Sequence, residues 1–354
     1  MNARFLGMPL PTLIMAAVGL VVFVGIPLTT DTFITFEFTN VAVYAIALMG
    51  LNLLTGYSGQ ISLGNGAFMA VGGYTTALLV HRLQIPWYAT IPLAGIAAGL
   101  VGFLFGFPAL RLAGIYLALA TFALALAIPP LIDNFDTFTN GHTGINMKNA
   151  NPPGFLGISL DQWLYFVCWG IAALMFLLSI GIIRSGIGRA FMSIRDSETA
   201  AVSSGVSLSY YKTLAFGISA LFSGVAGSLL AIIVSYVNPD VFGLQLSLTL
   251  LVGAVVGGIG LQAGPLLGAL FIVWLPYFAE KVGNVSFGPV HLPQKPDIYF
   301  GIGLFLVLFF ASSGIAGLFP RGMGWYRSRR SGARARALAE EREASEADAV
   351  NPRG

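Results

Sequence analysis

The chain has 354 residues, of which 56% are hydrophobic and 9% charged, against about 25% charged in an ordinary soluble domain. So few charges cannot cover a water-facing surface. With a mean hydropathy of +0.82, the composition all but excludes a soluble enzyme and points to an all-α, polytopic membrane helical bundle. The net charge of +3 resides in residues 321–354, which carry eight arginines and five acids, while residues 1–320 are balanced. The basicity belongs to a tail and gives no reason to expect nucleic acid as a partner.

Ten apolar segments follow in order, at 9–28, 41–56, 62–80, 88–106, 112–132, 161–183, 213–236, 246–259, 263–279 and 298–318. Crossing the hydrocarbon core takes about 20 apolar residues. The segments at 41–56, 246–259 and 263–279 are short for that, so they need tilt, help from their flanks, or a break within the bilayer. The first segment resembles a secretion signal, but it follows only Arg4 and lacks a clear small-residue cleavage pattern, so it reads as an uncleaved span.

Placing the N-terminus in the cytoplasm and alternating ten spans puts Arg4, Arg111, Arg184, Arg189, Arg195, Lys212, Arg321 and the other tail arginines inside. Arg82, Lys148, Lys281 and Lys295 fall outside. This asymmetry obeys the positive-inside rule and predicts two cytoplasmic termini. The loop at 29–40, with Asp31 and Glu37 and no Lys or Arg, reads as outside. The loop at 133–160 is an outer loop with turns of its own, and 184–212 is an inner loop. Residues 1–320 thus form a transmembrane domain. Residues 321–354 form a flexible or weakly helical basic tail, whose Trp325–Arg336 portion can lie against anionic lipid.

Ionisable groups inside a span are costly and mark ion or proton pathways. None falls mid-span here: Arg111, Asp133 and Glu280 all lie at boundaries. That disfavours a proton-driven carrier, while sodium coupling through backbone carbonyls stays open. No G-x-x-x-x-G-K-[ST], H-E-x-x-H or G-x-S-x-G occurs, so neither a P-loop nor a hydrolytic site is predicted. His81, His142 and His291 are far apart. Cys168 stands alone, which rules out an intrachain disulfide and a cysteine metal site. The chain is read as a non-enzyme that binds no cofactor itself.

The segment Leu51–Leu79 carries Gly56, Gly59, Gly64, Gly66, Gly72 and Gly73 among Tyr57, Ser58, Gln60, Ser62 and Asn65. Each glycine costs a helix about 1 kcal/mol relative to alanine, and bare backbone in lipid costs several more per group. Such a stretch survives only where it is buried in protein or lines a wet cavity. A break there would offer backbone groups to a polar solute, making Gly56, Tyr57, Ser58, Gly59, Gln60, Ser62, Gly64 and Asn65 candidates for a translocation path. The alternative is a tight helix crossing on small residues. Gly95/Gly99, Gly102/Gly106, Gly253/Gly257 and Gly260/Gly264/Gly268 have the G-x-x-x-G spacing of such crossings.

In the inner loop, Asp196 or Ser197 can cap a short helix, with Glu198 in its first turn, Ala200 and Ala201 within it and Gly205 ending it. Arg189, Phe191, Ile194 and Arg195 precede it. A short helix with small residues on one face can dock into a groove of another protein; otherwise the segment is a plain connection.

TGYSGQISLGNGAF followed by GGYTTALL, LRLAGIYLALATFALA (110–125), the stretch 185–229 and GGIGLQAGPLLGALF (257–271) resemble LivM-type permeases, the membrane subunits of branched-chain amino acid ATP-binding-cassette importers. The resemblance covers about residues 40–320. It implies a bacterial inner-membrane protein that translocates branched-chain or related neutral amino acids. An extracytoplasmic binding protein would deliver the solute, a homologous LivH-type permease would share the pathway, and two cytoplasmic ATPases would use the ATP. Permeases of this kind carry a coupling loop with Ala-Ala, three residues, then Gly. Here that is Ala200-Ala201 and Gly205, with Arg189, Ile194, Arg195 and Asp196 beside it on the ATPase-coupling segment. Two departures stand out: Asn65 occupies a position where many members have His, and TNGHTGI (139–145) replaces a T-G-G-x-x-G-[LI] pattern. Importers of urea or short-chain amides use similar permeases and form the alternative, followed by a stand-alone secondary carrier.

Overall fold

The computed structural model describes residues 25, 27–112, 114–147 and 158–283, together with two paired dipeptides, β1 (Arg4–Phe5) and β2 (Met8–Pro9). Most of the predicted span 9–28, the whole of 298–318, His291 and the basic tail lie outside the described residues.

Helix α1 (Thr32–Leu51) continues through a π turn at Asn52–Tyr57, giving a rod of 26 residues, about 39 Å long. The stretch 29–40, expected as an outer loop, is therefore mostly the start of this helix. Its lone Glu37 does not stop it, and no Gly or Pro interrupts residues 32–49. Thr39 returns its hydroxyl to the carbonyl of Thr35 at 2.8 Å, so a polar residue enters an apolar setting without an orphaned donor. The predicted short span 41–56 is long once this flank is added.

Helix α2 (Asn65–Leu83) follows, then α3 (Trp87–Ala109) and α4 (Ile115–Asn134). Among its described residues the loop at 133–160 holds a one-turn helix, α5 (Asp136–Thr139), a 3-10 turn at Gly141–Thr143 and a dipeptide strand, β3 (Ile145–Asn146). Helix α6 (Leu160–Arg184) opens on a capping box made by Ser159 and Gln162. The predicted inner loop is itself helical: α7 (Gly186–Asp196) and α8 (Glu198–Ser203) form a hairpin before α9 (Leu208–Val234). Strand β4 (Tyr236–Val237) pairs antiparallel with β3. The chain ends its described course with α10 (Leu244–Gly257) and α11 (Gly264–Gly283).

Six helical stretches among the described residues are long and apolar enough to cross a membrane: α1 with its π turn, α3, α4, α6, α9 and Pro239–Gly257. The prediction of ten is not reproduced. The first and last predicted spans lie essentially outside the described residues, α11 is apolar only over Gly264–Phe278, and α2 is diluted by its own polar and basic residues.

Helices α1 and α9 form the centre, with Val41, Ile46, Leu48, Phe216, Ala220 and Ala226 wholly buried. The perimeter is apolar as well: Leu100 and Leu104 on α3, Leu119 on α4 and Leu177 on α6 are all exposed. An apolar exterior is stable only where the surrounding solvent is hydrocarbon. Helix α3 lies antiparallel on α9 through a row of glycines. Gly95 meets Val225, Gly99 meets Leu221 and Gly217, Gly102 meets Ala220 and Gly106 meets Thr213. Any side chain in this row would hold the two backbones apart.

Candidate functional site

After the π turn, residues 58–64 leave helical geometry, and α2 starts only at Asn65. Asn65 donates through Nδ2 to the hydroxyls of Ser223, at 3.2 Å, and Ser219, at 3.5 Å. Those serines sit near the middle of the 27-residue α9. Helix α2 therefore begins level with the centre of a membrane-length helix, and 58–64 lies on the side of the α7–α8 hairpin as non-helical backbone. The glycines of this stretch predict such a break, and the structure contains it.

A second break mirrors the first. Beyond β4 the chain descends along α2, where Phe242 meets Gly73 and lies 6.3 Å from the Tyr74 ring at a tilt of 59°. It restarts as α10 beside Gly66, whose N–H donates to Ser247 Oγ at 3.0 Å. Two helices, of 19 and 14 residues, thus begin next to each other at mid-depth. The exposed amides at their starts are met by short hydroxyls. Leu63 N–H donates to Thr121 Oγ1 at 2.9 Å, and Gly64 N–H to Ser62 Oγ at 3.2 Å. Ser62, Asn65, Thr121, Ser219, Ser223 and Ser247 are all buried. The result is a neutral polar seam enclosed by apolar helices.

At the inner end the seam meets the α7–α8 hairpin. Ser58, Gly59, Gln60, Ile61, Arg195, Asp196, Glu198 and Lys212 line a mostly polar cavity of about 310 Å3. Gln60 donates through Nε2 to Ser58 Oγ at 2.6 Å and to the carbonyl of Lys212 at 3.4 Å. Lys212 pairs with Glu198 at 2.7 Å, joining α9 to α8. A larger cavity of about 690 Å3, between Trp87, Ile91, Trp163, Leu174 and Leu221, is apolar and lies away from every polar group of the seam. Its chemistry suits hydrocarbon rather than a polar solute.

The hairpin is built as its sequence dictates. Gly188, Ala190, Phe191 and Ile194 form the buried face of α7. Ser197 Oγ accepts from the Ala200 amide at 3.3 Å, capping α8, so Ser197 rather than Asp196 is the cap. Gly205 stands at φ +82°. Its amide donates to Val202 O at 2.9 Å, and that of Val206 to Ala201 O at 3.0 Å, the paired bonds of a glycine-ended helix. Of the predicted coupling residues, Arg189, Asp196, Ala200 and Gly205 are exposed, while Ile194 and Ala201 are buried. Arg195 is exposed as well, yet one arm of its guanidinium reaches the end of α1, Nη1 donating to Gly56 O at 2.9 Å.

Of the predicted path residues, Gly56, Tyr57, Ser58, Gln60, Ser62, Gly64 and Asn65 are buried and Gly59 is exposed. Sequence reasoning missed Asn52, Thr121, Ser219, Ser223 and Ser247. The available signal was the recurrence of Ser219, Ser223 and Ser228 along one otherwise apolar span, three hydroxyls that bond to Asn65 and Thr76 of α2. Among the described residues no group of three His, Cys, Asp or Glu converges to hold a metal.

A bundle of membrane-length helices around an uncharged seam, with a helical hairpin at one end, has the build of a solute permease. Residues 33–310 match the family model described as branched-chain amino acid transport system, permease component, and the chain belongs to that family. It is similar to the high-affinity branched-chain amino acid transport system permease protein LivM of Escherichia coli K12, at 34% identity over 258 residues, covering 66% of this chain and 61% of LivM. The chain thus spans about three fifths of that relative's length. BraD of Pseudomonas aeruginosa, a permease protein of the same kind of system, is 27% identical over 77% of the chain and 91% of its own length. LivH of Escherichia coli K12 is 25% identical over the same shares. No solved structure matches the chain.

Proposed function

We propose that this chain is a membrane-spanning subunit of an ATP-binding-cassette importer for branched-chain or related neutral amino acids, in the bacterial inner membrane. Ten spans would place both termini in the cytoplasm, with residues 321–354 as a tail against anionic lipid. The chain would pair with a LivH-type permease, receive solute from an extracytoplasmic binding protein and be driven by two ATPases docked on 184–212. It would bind no cofactor itself, the ATP being used by those partners, and would catalyse no reaction.

One observation carries this reading: the break at 58–64 and the α7–α8 hairpin share a single polar cavity. A hairpin moved from outside can therefore reshape the non-helical backbone of the path directly. A neutral seam suits a zwitterion or an uncharged solute, and all three relatives above are named for branched-chain amino acids, which supports these over urea or short amides. Population shift supplies the mechanics. Closure of the ATPase dimer moves the docked hairpins together and stabilises one orientation of the path over the other.

The test is reconstitution. With ATPases, the partner permease and the binding protein, proteoliposomes are expected to take up leucine, isoleucine or valine in an ATP-dependent manner. Uptake by this chain alone, driven by an ion gradient, would overturn the reading.

A further inference from the structure

Arg195 closes the last turn of α7, whose buried residues Phe191 and Ile194 anchor that helix to the bundle. Its guanidinium is held on two sides. Nε and Nη2 both donate to Asp196 Oδ1, at 3.2 and 3.1 Å, and Nη1 donates to the carbonyl of Gly56 at 2.9 Å. Gly56 lies in the π turn that ends α1, where unpaired carbonyls carry partial negative charge and favour a cation.

The space for this contact is built from small residues. A Cβ at Gly59, where φ is +74°, would come within 2.9 Å of Arg195 Cγ. A Cβ at Gly260, in the turn between α10 and α11, would stand 3.7 Å from Nη1, and one at Gly56 would come within 2.5 Å of the Gly260 nitrogen. One side chain thus stands where three inner turns converge: the α7–α8 hairpin, the end of α1, and the α10–α11 turn. The forked guanidinium serves two partners in different directions, which a lysine ammonium cannot reproduce in that geometry.

From this geometry we infer that Arg195 is a positioning residue that carries displacement of the hairpin into the path, rather than a side chain presented to the ATPase. The inference rests on the importer reading and deepens it. Arg195 pulls on Gly56, whose chain continues directly into the break at 58–64. Through the Gly56–Gly260 contact the same pull reaches the turn that orients α10, the second helix starting at the seam. The Glu198–Lys212 pair ties the hairpin to α9 at a separate point, so the hairpin moves against a fixed anchor.

The experiment uses the complete assembly in proteoliposomes, with Arg195→Gln and Arg195→Lys, measuring ATPase retention on affinity purification and leucine moved per ATP consumed. Both variants are expected to retain the ATPases. The leucine-to-ATP ratio is expected to fall about tenfold in Arg195→Gln, the size of a typical coupling between sites, with part of the loss restored in Arg195→Lys. An unchanged ratio in Arg195→Gln would overturn the inference. Loss of the ATPases from both variants would also overturn it, by placing Arg195 in the docking surface. If the wild-type chain held no ATPase, the importer reading itself would fail, a result separate from either variant.

Discussion

The side chain of Asn52 and the backbone of Gly260 stand 208 positions apart in the chain and 2.7 Å apart in space, the Gly260 amide donating to Asn52 Oδ1. Asn52 Nδ2 in turn donates to Leu261 O at 3.0 Å. One amide group therefore satisfies both polarities of the α10–α11 turn and fastens it to the end of α1. This also gives the π turn at Asn52–Tyr57 a purpose, since its wider winding is where that side chain reaches the neighbouring turn.

Asn52→Leu removes both bonds at a position that is 6% exposed and leaves a half-buried donor and acceptor without their partner, at a cost of about 1 kcal/mol per bond. Asn52→Asp keeps the acceptor for Gly260 and loses the donor to Leu261. The expected order of thermal stability in detergent is wild type, then Asp, then Leu. Equal melting of wild type and Asn52→Leu would show that the turn finds other partners.

The sequence made the seam legible where glycines and polar residues crowd one stretch, because poor helix propensity in an apolar chain is a local signal. Gly56 to Asn65 stood out for that reason, as did the short helix from Glu198 to Gly205, whose cap and end residues are also local. What stayed hidden depends on partners far along the chain. Asn52, Ser219 and Ser247 look like unremarkable polar residues in their own segments, and their meaning lies in Leu261, Asn65 and Gly66. The 29–40 stretch was misjudged for the opposite reason. Its acids and missing bases describe which side of a membrane it faces, while its uninterrupted run of helix-compatible residues decides its conformation. Arg195 illustrates both problems, since a cytosolic arginine beside a docking helix gives no hint that its donor faces inward.

Gly205 ends α8 at a φ that proline cannot adopt, and its amide bond to Val202 would be lost as well. Gly205→Pro therefore disrupts the end of α8, at about 3 kcal/mol or more locally, and lies outside the apolar helices themselves, α9 starting only at Leu208. Insertion into the membrane is expected to be normal, while uptake and substrate-stimulated ATP turnover in the reconstituted assembly are lost. Gly205→Ala meets no atom within 4 Å and carries only the left-handed backbone penalty of about 1–2 kcal/mol, so it retains partial uptake. Normal ATP turnover in the proline variant would remove α8 from the coupling path.

On the outer side, His142 Nδ1 lies 3.2 Å from both oxygens of Asp133, which steadies the turn leading into β3. The hydrogen bond and the charge of Asp133, with a smaller contribution from Asp240, raise the His142 pKa above its ordinary 6.5. A raised histidine pKa means that the protonated, bonded form is favoured by the fold. Its stabilisation is complete below the ordinary value and fades as pH rises through the raised one. Hydrogen exchange at the amides of Thr143, Gly144 and Met147 is therefore expected to accelerate beyond its intrinsic base catalysis as pH rises above the ordinary histidine value of 6.5. Asp133→Asn should abolish that extra dependence. The same pH profile in Asp133→Asn would show that the pair does not govern this turn.

Gln60 and Asn65 stand at the two ends of the break, Gln60 in the inner cavity and Asn65 beside Ser219 and Ser223 at mid-depth. Asn65 bonds across the α2–α9 interface, but the close backbone approach there is made by Gly72, Gly224 and Gly227 and does not use its side chain, so Gln60→Ala and Asn65→Ala should assemble with their partners at wild-type levels. Each removes a neutral donor from the path. The expected consequence is a change of about three- to tenfold in the KM or maximal rate of leucine uptake, the range set by one hydrogen bond. Asn65→Ala should act more strongly on the rate, because the serines it leaves behind can close on each other and narrow the seam. Wild-type uptake kinetics in both variants would leave this stretch with a packing role alone and move the search for the path to another face of α9.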